Sequence, residues 1–296
     1  MVKKNGHMRG KQWYKCRLCS TRFFGKQKSP QVDLRAVLWN EFVWERRTIR
    51  KLVLDYARSE RYVRMQLEAY KPTVTPVEPC AAVFVADVTF FRREYGFLVY
   101  RIPELQRNPY AKKVYSETIA RYRDGRIDLE AAGFIFLAIV LDGRPGIRAL
   151  FADIPVQMCH FHQKQIITRY LTHSPKLEAA IQLKAIAGTL TYSTERKLGN
   201  DLVAWYATWE LFLKEKTSVE GSRHWHYTHR RIRAAYRSLI TNLPFLFTYQ
   251  KYPELHIPTT TNSLDGTFSH LKDLTAVHRG ASQKLKEKMI IEILGK

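Results

Sequence analysis

Acidic residues, cysteines and long apolar runs are all scarce in this sequence. Of 296 residues, 27 are Asp or Glu against 49 Lys or Arg, leaving a formal net charge of +22. The four cysteines, Cys16, Cys19, Cys80 and Cys159, are too few and too scattered for a disulfide scaffold, so a reducing compartment is expected. No apolar run approaches the roughly 18 residues that cross a bilayer. The longest, Val83–Phe91 and Phe134–Leu141, are short, and each contains or abuts an Asp. Met1-Val2-Lys3-Lys4 leads into no apolar h-region, so a secretory signal is not expected and the cytoplasm is.

What is present describes a globular chain. A hydrophobic fraction of 45% and a charged fraction of 26% are ordinary for a protein that buries a core. The length suits about two domains at roughly 150 residues each. The positive excess attracts polyanions and releases counterions from a phosphate backbone, so double-stranded DNA is the leading partner. An anionic membrane surface is the rival, but no basic amphipathic helix dominates and no membrane partner is expected.

Residues 1–28 are basic and carry Cys16-Arg17-Leu18-Cys19. A C-x-x-C turn supplies two of four zinc ligands, and no second pair lies nearby. The segment is either a partial zinc ribbon or a pair of unligated thiols. Residues 33–68 read as helical. Thr48 is placed to cap a helix running to Tyr56, and Ser59 to cap another over Glu60–Tyr70. Two helices with a short turn, the second carrying Arg61, Arg64 and Gln66, fit a helix-turn-helix that reads a major groove, and fit any helical hairpin equally. Three prolines in Lys71–Cys80 mark a linker.

Beyond the linker, Ala81–Phe91, Tyr95–Ile102 and residues 134–141 read as strands, with Val156–Phe161 as a short fourth. Residues 114–132, 146–152 and Gln163–Leu171 read as helices. Apolar strands alternating with helices imply an α/β layer. Residues 175–250 read as all helical with no strand. A helix is expected to open near Ser263, and another over Ser282–Leu294.

Asp87 interrupts one apolar run and Asp142 closes another. Charges inside such runs are paired or metal-bound. Two carboxylates converging from neighbouring strands repel unless a cation neutralises them, and hard oxygen ligands suit Mg²⁺ or Mn²⁺. Asp265, in a helix's first turn, is the candidate for a third ligand. Two such ions would serve phosphodiester chemistry. Taken singly, each Asp also fits a bland role: a strand-end turn, a helix N-terminal charge or a structural pair. Arg223, Trp225, His229, Arg230 and Arg233 interleave bases with aromatics and fit either DNA contact or an ordinary solvated helix around a buried Trp.

Several stretches together resemble a known family. They are Gly6-His7-Met8-Arg9-Gly10-Lys11-Gln12-Trp13-Tyr14-Lys15-Cys16-Arg17-Leu18-Cys19, the helical pair through Ser59 and Leu67, Ala86-Asp87-Val88-Thr89-Phe90-Phe91, Leu141-Asp142-Gly143-Arg144-Pro145-Gly146, Cys159-His160-Phe161-His162 and Thr260-Thr261-Asn262-Ser263-Leu264-Asp265-Gly266. In that order they resemble a bacterial insertion-sequence transposase of the mutator type, in its variant with an N-terminal zinc-binding segment, a branch of the DDE/D superfamily.

The resemblance covers nearly the whole chain. It implies an RNase H-like catalytic core over 81–174 and 256–296, an α-helical insertion over 175–255, a helix-turn-helix over 29–71 and a partial zinc ribbon over 1–28. It implies a catalytic set of Asp87, Asp142 and Asp265 holding two Mg²⁺ or Mn²⁺ ions. Asp265 falls where the family usually has Glu, one methylene longer. Cys159 and His162 match the family's Cys-x-x-His, either as a structural pair or as zinc ligands, and Trp225, His229 and Arg233 fall in the insertion. The implied activity is cleavage at element ends followed by strand transfer, in a dimer or larger assembly on DNA at a bacterial nucleoid. An inactive DNA-binding derivative and a nuclease that cuts without joining are the alternatives.

Overall fold

The computed structural model describes residues 1–8, 10–24, 33–92, 94–218 and 224–295. The chain divides into two compact units, Met1–Lys71 and Pro72–Lys296.

The first unit opens with an antiparallel meander of β1 (Val2–Met8), β2 (Lys11–Cys16) and β3 (Arg22–Phe24). Cross-strand rings hold β2 to β3: Trp13 sits edge-on to Phe24 with centroids 5.6 Å apart, and Tyr14 stacks on Phe23 at 6.0 Å. Three helices follow, α1 (Leu34–Val43), α2 (Ile49–Tyr56) and α3 (Glu60–Ala69). Each begins at a side chain that accepts an otherwise orphaned backbone N–H: Asp33 from Arg35, Thr48 from Lys51 and Ser59 from Tyr62. Leu38, Trp39, Phe42, Leu52, Val63 and Leu67 are fully or almost fully buried and form the helical core.

The second unit is mixed α/β. Its sheet comprises β4 (Ala81–Phe91), β5 (Tyr95–Ile102), β6 (Arg107–Val114), then, after α4 (Ile119–Ala131), β7 (Ile135–Leu141), and after α5 (Pro145–Ala149), β8 (Val156–Met158). The order across the sheet is β6-β5-β4-β7-β8. β4 pairs antiparallel with β5 and parallel with β7, and β7 pairs parallel with β8. The remainder is α6 (His160–Leu171), α7 (Glu178–Gly188), α8 (Glu195–Lys214), β9 (Lys216–Ser218), β10 (Trp225–Tyr227), α9 (Arg230–Leu246), α10 (Thr248–Lys251), α11 (Asn262–Val277) and α12 (Gln283–Leu294). Among the described residues no helix is long and apolar enough to cross a membrane.

Two cores hold this unit. On the sheet, Phe84 stacks on Phe136 at 4.1 Å, and the buried Tyr100 hydroxyl donates to the Tyr122 carbonyl at 2.7 Å. Truncating a ring such as Phe84, wholly buried, costs about 3–5 kcal/mol. Among the helices, Leu183, Leu198, Leu202, Trp205, Ile232 and Leu239 gather, and the Trp205 indole donates to the Ala179 carbonyl at 3.0 Å. The carbonyl of Leu246, at the end of α9, joins the two: Gln157 Nε2 of β8 donates to it at 2.9 Å, and the His160 ring nitrogen lies 2.6 Å away.

Several sequence expectations need correction. Residues 107–114 form a strand that Pro109 and two lysines conceal; β6 is an edge strand, where both are tolerated. The helix expected from 114 therefore starts at Ile119, capped by Thr118. The strand expected over Val156–Phe161 stops at Met158, because His160 already opens α6. The helix expected over 146–152 spans Pro145–Ala149. The segment expected to be purely helical contains the antiparallel ribbon β9–β10, three residues a side and too short to show a period. Trp225, expected in a helical segment, stands in that ribbon and is 49% exposed, which overturns the reading of it as a buried helix residue and leaves the DNA-contact alternative open.

Candidate active site

The parallel register of β4 and β7 brings two of the expected acids together. Val85 pairs with Val140, an offset of 55 residues, and 142 − 87 is also 55. Continued two residues past its last pair, that register sets Asp87 level with Asp142, and the two carboxyls act on each other. Asp142 falls one residue beyond β7, where the chain must turn sharply. Gly143 makes that turn at φ +95, and a Cβ there would lie 2.6 Å from the Met158 sulfur.

A second set of bonds brings in the third acid. The Cys159 N–H donates to the Leu141 carbonyl at 2.8 Å, and the His160 N–H donates to the Thr259 carbonyl at 2.9 Å. The chain before α11 is thus moored at the end of β8. From there the Thr261 hydroxyl lies 3.5 Å from the Cys159 sulfur and donates to Asp265 Oδ2 at 3.4 Å. Asp265 sits in the first turn of α11, where the helix dipole favours a negative charge.

These groups share one electrostatic field. Asp87 is pushed up to about 7 by burial; His162 and the Val88 N–H, which donates to Oδ1 at 2.7 Å, pull it down, while Asp142 and Asp265 push it further up. His162 is raised to about 9 by its hydrogen bond with Cys159, against burial, with Asp87 and Asp142 adding to the rise. It is therefore an imidazolium at neutral pH. Burial pushes the Cys159 thiol up, but hydrogen bonds with His162 and Thr261 bring it below its ordinary value.

A fourth acid, Glu117, escaped the sequence reading. It precedes α4 in no apolar run and no repeating pattern, so nothing local marks it. The Arg144 guanidinium lies 2.9 Å from Glu117 and 3.3 Å from Asp142, and its backbone N–H donates to Asp142 Oδ1 at 3.1 Å. Burial raises Glu117, and Asp142 raises it further. Arg144 thus clamps two acids that would otherwise repel. Beside them opens a cleft of ≈ 570 Å³, walled by Asp142, Arg144 and His162 and faced by Arg169 of α6 and Arg237 of α9. Its floor is fixed by Asn242, which accepts from Arg148 at 2.8 Å and donates to Gln163 at 2.8 Å.

The remaining candidates lie elsewhere. Arg61, Arg64 and Gln66 lie on α3, away from its buried Val63 and Leu67, and Arg64 pairs with Glu60 at 2.7 Å. Cys16 closes β2 and Cys19 follows in the next turn, its thiol lowered to about 7 first by the Thr21 hydroxyl. Arg223 lies outside the described residues. His229 stacks on Phe212 at 3.5 Å and lies 2.8 Å from Glu215, while Arg233 covers the Tyr227 ring at 3.6 Å and donates to the Leu213 carbonyl. Those two fasten the ribbon to α8 and α9. Trp225, under the Lys216 ammonium at 3.8 Å, and Arg230 face solvent. Among the described residues no group of three or more His, Cys, Asp or Glu side chains is gathered closely enough to hold a metal ion.

No protein-family model matches the chain, and no curated protein matches it. Among solved structures, a chain of the simian T-cell lymphotropic virus intasome in complex with the PP2A regulatory subunit B56 gamma overlays 68% of this chain and 68% of its own length, at 8% identity and a TM-score of 0.22. A likeness that slight carries no inference about shared fold or chemistry.

Proposed function

We propose that this chain is a metal-dependent DNA transposase of the DDE/D type, with an RNase H-like core over 81–174 and 256–296. One observation carries the reading: Asp87, within β4, stands beside Asp142, one residue past the end of the neighbouring β7, and Asp142 and Asp265 of α11 both act on the Asp87 carboxyl. The sheet order supports it, with an antiparallel three-strand meander extended by two parallel strands. The cleft beside Asp142 supports it too, since Arg144, Arg169 and Arg237 offer guanidiniums to phosphates. The net charge of +22 agrees with DNA as partner, and α3 is the element that would read element ends.

By chemistry the three acids suit a hard divalent cation, although among the described residues they are not gathered closely enough to hold one. Asp87, Asp142 and Asp265 offer only oxygen; the Asp87 carboxyl is raised chiefly by burial, with Asp142 and Asp265 adding to the rise. Under this reading those three residues would hold Mg²⁺ or Mn²⁺. Such ions lower the pKa of water or a 3′-hydroxyl and stabilise a leaving oxygen. The protein's own contribution is placement. Arg144 orients Asp142, Thr261 steadies Asp265, and the His162 imidazolium restrains the field around Asp87. Dimerisation on paired DNA ends belongs to the same reading, as does a partial zinc site at Cys16 and Cys19.

A second reading, a DNA-binding protein without catalysis, is favoured by the want of any gathered three-ligand group among the described residues. Strand-cleavage and strand-transfer assays with Mg²⁺ on DNA carrying the element's ends separate the two. A transposase cuts and joins, and Asp142→Asn abolishes both while leaving end binding nearly intact. A nuclease only cuts. Binding without cleavage by the native chain refutes the catalytic reading.

A further inference from the structure

A second cavity, of ≈ 380 Å³, opens where the turn after β4 meets α11 and α12. Four cations line it: Arg92 from the turn, Lys272 from α11, Arg279 just past that helix, and Lys286 from α12. Among its described lining residues Glu94 is the one acid. Lys286 is half-buried, and its ammonium donates to the Arg279 carbonyl at 3.1 Å. Burial and the neighbouring Arg92 guanidinium push it below its ordinary value, only partly offset by Glu94. Cations crowded in this way repel, and an anion placed among them relieves the repulsion. The wall is not all polar. Phe90, Phe91 and Tyr95 are also among its lining residues, and Gln283 brings an amide able to donate and accept.

We propose that this cavity binds a nucleotide unit, its phosphate held by Arg92, Lys272, Arg279 and Lys286, with Gln283 at the base edge. The residue types match both halves of that ligand: cations for phosphate, and an amide that can donate to and accept from a base edge. The nucleotide has two sources, a free nucleoside monophosphate or one unit of a strand. Placement ties the cavity to the acids. Lys272 follows Asp265 by seven residues on one side of α11, about 10 Å along the axis. β4, which carries Asp87, ends at Phe91 beside Arg92. One strand of nucleic acid can therefore lie across both places. The cavity's own residues carry the nucleotide site whether or not the acids cleave.

The test is binding of a fluorescein-labelled oligothymidylate of eight nucleotides, read by anisotropy across a salt series, with thymidine monophosphate as competitor. Lys272→Ala/Arg279→Ala removes two exposed cations, and Lys176→Ala/Lys197→Ala removes two exposed lysines elsewhere as a control for the general field. The cavity variant should bind about tenfold more weakly, with a salt slope shallower by about 1.4 (roughly 0.7 for each lost contact). The control should stay within about twofold. Melting curves of each variant confirm the fold. Competition by the monophosphate assigns the site to free nucleotides, and its failure alongside the cavity-variant loss assigns it to a strand. Equal losses in cavity variant and control, or no loss in either, overturn the proposal. Loss of cleavage with this binding intact would refute the transposase reading alone.

Discussion

Asp87→Asn should make the fold more stable above neutral pH. The carboxyl titrates at about 7 in the folded chain against 3.8 ordinarily. Between those values the folded state holds a proton that the unfolded state has already released, so stability falls as pH rises through the window. Each unit is worth about 1.4 kcal/mol, which bounds the penalty near 4 kcal/mol above pH 7. The residue is half-buried and water screens part of it, so about 2 kcal/mol is expected. Asparagine is neutral throughout, nearly isosteric, and keeps an oxygen to accept from the Val88 N–H. Melts at pH 4, 5.5, 7 and 8.5 should show no gain at the first, a growing gain between, and about 4–8 °C at the last. Mg²⁺ should raise the melting temperature of the native chain at pH 8.5 and have far less effect on the variant. A variant less stable at pH 8.5, or a difference independent of pH, would refute the electrostatic account.

Other substitutions probe other parts. His162→Gln should behave oppositely: the folded pKa of about 9 exceeds the ordinary 6.5, so the cost is full below pH 6.5 and fades as pH rises through 9, which denaturant titrations at pH 6 and 10 will show. Combined with Asp87→Asn, its effect should be non-additive by roughly 0.5–3 kcal/mol in a double-mutant cycle, since each shifts the other. Gly143→Ala should destabilise by about 1–3 kcal/mol from the positive φ, and by more where Met158 cannot yield, measurable as a lowered melting temperature. Arg64→Ala should weaken recognition of element ends about tenfold or more in gel-shift titrations, with cleavage of pre-bound DNA unchanged, if α3 is the reading helix.

Local chemistry explains what was legible in the sequence. Thr48 and Ser59 announce their helices because a hydroxyl one residue before an amphipathic run has little else to do than cap it. Ala81–Phe91 and Tyr95–Ile102 are β-branched and aromatic enough to declare themselves. The oddity of Asp87 inside such a run was visible as well. What sets Asp87 level with Asp142 is register, and register belongs to two strands at once. Glu117 and Arg144 are ordinary surface types until packing makes them neighbours. β6 and the β9–β10 ribbon defeat pattern reading for different reasons, one disguised by its edge position and the other too brief. The cavity joins Arg92, after β4, to Lys272 and Lys286 of the last two helices, a meeting that no local pattern announces.

The tie between the His160 N–H and the Thr259 carbonyl has a consequence for the order in which the molecule matures. Everything from α7 to α10 must be made before Thr259 can reach the end of β8 and deliver Asp265. A ribosome finishes the α3 end of the chain early and this last acid almost at the end. Any product cut short within the intervening helices would retain the α3 helices and the first two acids, but lack the third. On the transposase reading, interrupted synthesis would then yield occupants of DNA ends incapable of breaking them, a competitor for the complete protein instead of a hazard to the chromosome.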